Sequence, residues 1–580
     1  MGLRIALVTP FAWSQPHEVN EHVGGVAAAL RRLGHHVTVL APSTRAADLV
    51  AGRRALQTGE DAEVIALGPA LPVSRRSSLG VPVGMRAALK LALARGAYDV
   101  VHGVEPALPS LSYLALRDGG GLAVATFLSP ERLTYPPGKA QREKLLARLD
   151  ALVATSPDVA DAAAERFPGD YRLISPGVDL SLFRPAAEKR QRIVVEWLPG
   201  ERPGARAVLR ALPDLPGWEL VVLRTQSLAG RTTVPHALRG RVHVRTALDG
   251  VARAPLLAEA AIFVPAHGGS ERLLLEAAAA GVAVAAAPGA VDPPPLAAAP
   301  LEHLAADDAL RARVARDARA GAESQSFDAV AEELDALYRG LSGRRRDARR
   351  PAADPLADRE WITCDLHMHT SWSHDCQMQV PDLHDQAQAQ GLGAIAVTDH
   401  NVFGGAREAA ALAKSRPLTV IPGEEVKTDG QGEVIGLFLD REIPRGLSFA
   451  DTVAAIKEQG GLVYIPHPFD RLHAIPDPAT LHRHLADIDV FEVYNARLLF
   501  EAYNDEALRF ARKYNLTMGA GSDAHVLQGV GTGALRMRAF RDPEEFLVSI
   551  RSAEVLRRPK SLVYLQSLKW VAQAREKVRN

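Results

Sequence analysis

What most restricts the fold of this chain is a set of short apolar runs in residues 361–580, each ending in histidine or acid. Ile395-Ala396-Val397-Thr398 delivers Asp399 and His400, and Val420-Ile421-Pro422 delivers Glu424 and Glu425. Leu462–Ile465 delivers His467, and Leu516–Ala520 delivers Asp523 and His525. A short unbroken apolar run is a strand buried on both faces, with helices on each side of its sheet. Chemistry at the exits of parallel barrel strands converges on one rim. Ahead of these runs stand Asp365-Leu366-His367-Met368-His369 and His374-Asp375. Imidazole nitrogen and carboxylate oxygen are donors that suit Zn, Mn or Fe in a hydrolytic site. This part of the chain is expected to be a metal-dependent hydrolase.

The first 340 residues alternate β-branched runs with Ala/Leu/Arg-rich stretches, the pattern of parallel α/β domains. One set of strand candidates is Arg4–Thr9, His36–Ala41, Val100–His102, Ala123–Phe127 and Ala151–Thr155. A second is Arg192–Trp197, Glu219–Leu223, Val242–Arg245, Ala261–Val264 and Ala283–Ala286. They imply two Rossmann-like domains, 1–180 and 181–340, parted near Ser175–Pro185. Residues 341–360, with Arg344–Arg346, Arg349–Arg350 and prolines, are expected to be a solvated linker to the third domain, 361–580.

Composition removes several classes. With 580 residues the chain exceeds a single core. Its 68 basic and 68 acidic side chains balance, so nothing draws it to nucleic acid or anionic lipid. Two cysteines, Cys364 and Cys376, make no disulfide framework and are expected to be reduced, inert thiols. The N-terminal apolar run is too short for a signal peptide, and Leu273–Val291 is broken by Glu276, Gly281, Pro288 and Gly289. A cytoplasmic protein without a transmembrane segment is expected, with the Leu562–Val578 helix packed on its own domain and peripheral membrane contact unsupported. His384, His473, His482 and His484 belong to no motif and are expected at the surface.

From Trp361 onward, the order of the motifs resembles the PHP (polymerase and histidinol phosphatase) family. The resemblance implies a distorted β/α barrel, a trinuclear centre of about three divalent ions (Mn, Fe or Zn) and phosphoester hydrolysis. His367 and His369 match the family's His-x-His; Asp375 matches the acid that follows, with His374 as rival. His400 matches the next ligand, with Asp399 orienting it. Glu425 fits the bridging carboxylate better than Glu424, and Glu433 stands where the family usually has histidine. His467, Asp523 and His525 match the remaining ligands, while Arg471 and Arg497 are placed to hold phosphate charge. A small phosphorylated molecule is the implied substrate, since no basic stripe with interleaved aromatics points to nucleic acid.

Residues 1–340 resemble a retaining GT-B glycosyltransferase of the phosphatidylinositol mannosyltransferase-like branch. The carrying segments include Leu33-Gly34-His35-His36-Val37, Ser175-Pro176-Gly177-Val178-Asp179 and Leu274-Leu275-Glu276-Ala277. The departures sit where the resemblance implies a nucleotide-sugar site. Pro16-His17-Glu18-Val19 replaces a glycine pair, Leu128 a histidine, Glu196-Trp197 a Gly-Arg, and Gly268 the first of two glutamates. Arg202, in shifted register, and Glu276 are what remains of the cofactor contacts. A diphosphate leaving group needs its charge neutralised, so a GT-B module kept for binding is expected, ahead of a bifunctional enzyme or a non-catalytic interaction protein.

Overall fold

The structure, a computed structural model, describes residues 2–580 apart from 75–76, 81–83, 198–201, 226–233, 267–270, 287–297, 347–353, 473–474 and 559–580. Gly268, Arg349–Arg350, His473 and the Leu562–Val578 helix therefore lie outside the described residues. Arg202 opens the helix Arg202–Ala211, but its side chain is likewise outside the description. Among the described residues, no helix is long and apolar enough to cross a membrane.

The β-branched runs of the first 340 residues build two sheets. The first contains β1 (Arg4–Val8), β2 (His36–Ser43), β3 (Val64–Ser74), β4 (Ser77–Gly80), β5 (Val100–Val104), β6 (Leu122–Phe127), β7 (Ala151–Ala154) and β8 (Tyr171–Leu173). Its order is β4-β3-β2-β1-β5-β6-β7-β8, parallel except for the β3–β4 hairpin. The second holds β9 (Arg192–Glu196), β10 (Glu219–Arg224), β11 (Val242–Thr246), β12 (Ile262–Val264), β13 (Ala283–Ala286) and β14 (Ala298–Pro300). Its order, β11-β10-β9-β12-β13-β14, reverses direction beside β9, as in doubly wound nucleotide-binding sheets. Every strand expected before residue 300 is present; β3, β4, β8 and β14 were not foreseen.

These sheets belong to one compact unit, Met1–Ser342. Its last helix, Phe327–Ser342, returns to the first sheet: Tyr338 Oη lies 2.6 Å from His102 Nδ1 of β5. The helix Glu18–Arg32 makes room with Gly25, where a Cβ would sit 2.3 Å from the Phe327 ring.

The second compact unit is Gly343–Asn580. Its strands are β15 (Trp361–Asp365), β16 (Ala394–Val397), β17 (Thr419–Lys427), β18 (Glu433–Leu437), β19 (Leu462–Ile465), β20 (Val490–Asn495), β21 (Met518–Gly521), β22 (Gly533–Arg538) and β23 (Glu554–Arg557). They form one sheet in the order β21-β20-β19-β18-β17-β16-β15-β22-β23. β18 and β22 run against the others, which distorts the β/α pattern. The sheet curls until the exits of β15 and β21 meet: Asp523 N donates to His367 O at 2.8 Å and His369 N to Ala524 O at 3.1 Å. Ile421, Ile435, Leu437 and Leu535 are fully buried in one core, each contributing about 1.5–3 kcal/mol by leaving water.

Two expectations are corrected here. Arg345 and Arg346 are not a solvated tether. Arg345 Nε donates to Lys513 O at 2.8 Å, and Arg346 donates from N to Tyr514 O at 3.0 Å and from Nη2 to Ala486 O at 2.9 Å. His384 is fully buried rather than at the surface, because it shares the inner face of the helix Val380–Ala389 with Val380, Leu383 and Ala387. His482 packs on Phe510, and its Nε2 lies 2.9 Å from Tyr514 Oη.

Candidate metal centre

The parallel strands β15, β16, β17, β19, β20 and β21 put their C-terminal ends on one rim, and the histidine/acid groups gather there. In extended chain, residues two apart share a face. His367 and His369 thus point the same way, with their Nε2 atoms 3.2 Å apart. The same rule separates Glu424 from Glu425. Glu425 turns into the site, whereas Glu424 turns outward and accepts from Ile443 N at 2.8 Å, its carboxyl pushed up to about 7 by burial.

Glu425 is the centre of the cluster. Its Oε2 lies 3.0 Å from His400 Nδ1, 3.4 Å from His367 Nε2 and 3.5 Å from His369 Nε2, and its Oε1 3.0 Å from His467 Nε2. Asp523 Oδ1 stands 3.4 Å from His369 Nε2 and 3.4 Å from His525 Nδ1. Asp375 closes the open side, with Oδ2 3.0 Å from His525 Nε2 and Oδ1 3.8 Å from His400 Nε2. Its rival His374 is exposed, its ring centroid 5.5 Å from that of His400. Glu433, on β18, reaches 3.9 Å from His400 Nδ1 and 3.8 Å from His467 Nε2.

This donor set fits a divalent cation. Four groups of three, drawn from His367, His369, His400, His467, His525, Glu425, Glu433 and Asp523, bring their ligand atoms within 4.8 Å of one another. Among the described residues, buried Glu425 Oε2 has no hydrogen-bond partner of good geometry although three imidazoles surround it, a geometry a metal completes.

Electrostatics follow from this crowding. Burial alone would raise the Glu425 carboxyl, but His367 and His400 hold it well below the usual carboxylate range. In return Glu425 overcomes burial to push His400 and His467 up to about 9, and His367 well above the ordinary imidazole value. His369 is held well below it, by burial and by the charges of His525 and His400. Burial and Arg497 lower His525, despite its contact with Asp375. His467 and Asp523 have positive φ, 27° and 51°, which costs about 1–3 kcal/mol each and is held by surrounding structure.

Asp399 does not orient His400 as expected. It accepts from Thr370 N at 2.6 Å, Thr370 Oγ1 at 2.7 Å and Ser373 Oγ at 2.7 Å, and Ser373 Oγ lies 3.2 Å from His369 Nδ1. Its influence thus passes through Ser373 to the His369 ring and to the backbone of His400, whose N donates to Ser373 Oγ at 3.0 Å, rather than to the His400 ring. Arg497 joins the cluster, with Nη1 3.3 Å from both Asp523 Oδ1 and His525 Nε2. Arg471 is exposed and has no hydrogen bond or ion pair to the cluster among the described residues. Sequence reasoning passed over Glu492, buried on β20 and 3.1 Å from His367 Nδ1. An acid inside the apolar run Val490-Phe491-Glu492-Val493 was the available signal. Cys376 is buried, its Sγ 3.5 Å from His525 O.

In the N-terminal unit, Glu276 is buried and both of its oxygens are taken by Arg253, from Nε and Nη2 at 2.6 Å each. Arg272 lies 3.2 Å from Glu276 and also pairs with Glu21, which accepts from Arg253 at 2.9 Å. Glu18 pairs with Arg132. Glu105, which sequence reasoning missed, is buried, adopts φ 51°, accepts from Leu128 N at 3.1 Å and is pushed up to about 7 by burial. Glu196 is buried and accepts from Ala266 N at 3.4 Å. A cavity of about 610 Å³ opens beside these groups, lined by Trp13, Gln15, His17, Asn20, Glu21 and Asp249.

Known proteins match both units. The family model for glycosyltransferase family 4 matches residues 19–182, that for the PHP domain residues 365–511, and that for PHP-associated segments residues 501–555. The chain is 32% identical over 212 residues to an uncharacterized protein of Methanocaldococcus jannaschii, covering 34% of this chain and 84% of the relative. It is 29% identical over 393 residues to the phosphatidyl-myo-inositol mannosyltransferase of Mycobacterium tuberculosis, covering 59% of this chain and 98% of that protein. Among solved structures, sucrose-phosphate synthase from Thermosynechococcus elongatus superposes with a TM-score of 0.41 at 19% identity, over 58% of this chain and 99% of that one. The chain belongs to the PHP family by its C-terminal unit, a family of metal-dependent enzymes, and carries a glycosyltransferase family 4 module of GT-B fold ahead of it.

Proposed function

We propose that the C-terminal unit hydrolyses a phosphate ester of a small molecule, and that the N-terminal unit binds without transferring sugar. The observation that carries the first half is the Glu425-centred cage on the barrel rim. His367, His369, Asp375, His400, Glu425, Glu433, His467, Asp523 and His525 would hold the divalent ions. Such ions supply Lewis acidity and make water a nucleophile at neutral pH. Arg497, one-third exposed beside Asp523 and His525, presents a fixed cation to the ester's phosphate oxygens. Asp399, through Ser373, keeps the His369 ring turned into the cage.

For the second half, the support is Glu276. A carboxylate whose two oxygens are both engaged by one arginine is not available to a donor sugar nucleotide. Glu196, in place of a cation, adds no grip on a diphosphate.

The test is phosphate release from a panel of mono- and diesters after loading with Mn²⁺, Zn²⁺ or Fe²⁺. Metal-dependent turnover is expected, and its loss in a His367→Ala/His369→Ala double variant. Turnover that survives in that variant would overturn the assignment. Calorimetry with UDP- and GDP-sugars tests the N-terminal half; micromolar binding together with sugar transfer would refute it.

A further inference from the structure

We infer that Glu492 is a positioning residue that sets the two sides of the metal cage, an inference that rests on the metal-centre reading above. Glu492 lies outside the cage: it faces His367 Nδ1, while His367 Nε2 faces His369, Glu425 and Asp523. The Glu492 carboxylate has four neighbours, and each of them can donate. Oε1 takes His367 Nδ1 at 3.1 Å and Tyr464 Oη at 2.7 Å. Oε2 takes His467 N at 2.6 Å and Asn495 Nδ2 at 3.0 Å. Asn495 Nδ2 also reaches Asp523 Oδ2 at 3.3 Å. One side chain on β20 therefore reaches two candidate ligands directly, delivered by β15 and β19, and a third, delivered by β21, through Asn495.

The chemistry is specific to a carboxylate. A hydrogen bond from Nδ1–H to Glu492 leaves the lone pair of His367 on Nε2, the nitrogen that looks into the cage. The bond to His467 N holds that residue at φ 27°, a conformation its backbone would not otherwise keep. An amide in place of the carboxylate must turn its NH₂ toward one donor pair. Facing His367 and Tyr464, it favours the tautomer with the proton on Nε2, which closes the lone pair to metal. Facing His467 N and Asn495, it repels the loop that carries His467. Gly521 completes the arrangement: a Cβ there would lie 2.3 Å from His367 Cβ and 2.9 Å from Glu492 Oε1.

The experiment is a chelator-competition titration of Zn²⁺ and Mn²⁺ into the full chain and its Glu492→Gln variant, with NMR of the Zn-loaded proteins. We expect a dissociation constant about 10–100-fold weaker in the variant. We also expect a slowly exchanging imidazole N–H signal, assigned to His367 by its absence in His367→Ala, that is lost in the variant. A purely structural role would lower stability without moving that signal. If Glu492→Gln does not fold, Glu492→Asp keeps the charge but draws it back from His367, and intermediate weakening is expected. Parent-like affinity and an unchanged N–H signal in a folded variant overturn the inference alone. A parent chain that takes up neither ion overturns the metal-centre reading, and this inference with it.

Discussion

Metal uptake by the C-terminal unit should expel protons, and the number can be worked from the cage. Without metal, His400 and His467 titrate at about 9 and His367 is shifted up in the same direction, because Glu425 outweighs the burial that would lower them. At about pH 7.5 His400 and His467 then each carry a proton that a metal must displace, so loading should release about two protons per chain from this pair. His369 and His525, which burial holds low, should release none. Affinity should climb as pH rises from 6.5 toward 9, because the competing protons leave. The metal-free protein should behave oppositely. A histidine whose folded value is raised contributes stability that is fully present below about 6.5 and is lost as pH rises through about 9. For His400 and His467 that is at most roughly 3 kcal/mol each. The assay is calorimetry at one pH in buffers of different ionisation enthalpy, repeated with Glu425→Gln, which should release fewer protons. Binding enthalpies that do not depend on the buffer would refute the reasoning.

Three further outcomes are expected. Glu276→Ala strips the buried Arg253 of its two-oxygen partner and should cost about 3 kcal/mol, Glu21 remaining in place, read from the urea midpoint; an unchanged midpoint would show the pair to be idle. Gly521→Ala, with its Cβ 2.3 Å from His367 Cβ, should lose about 1–3 kcal/mol or more and take up less metal, and full uptake by inductively coupled plasma analysis would contradict this. Asp399→Asn disturbs the bonds from Thr370 and Ser373 and should destabilise by about 1–3 kcal/mol. Faster hydrogen exchange over residues 370–375 is its signature, and parent-like exchange its refutation.

By itself the sequence determined where most of the parallel strands run, though not β3, β8 or β20, because burial on both faces leaves an unbroken apolar stretch in a window of a few residues. It also determined which residues gather at the barrel rim, since parallel strands bring their exits to one end. Such information is local. The tertiary structure alone decided what depends on contacts between distant segments. That Glu425 rather than Glu424 enters the cage is set by the pleat of β17 against β18. That Asp375 rather than His374 meets His525 depends on a contact between residues 150 positions apart in sequence. Asp399 reaches the His369 ring but only the backbone of its neighbour His400, both through Ser373. Glu276 is closed by Arg253 from a different helix, and Glu492 faces the two segments that carry His367 and His467, which no spacing rule connects. Periodicity says which side of a strand is buried; only packing says what a buried polar group will meet there.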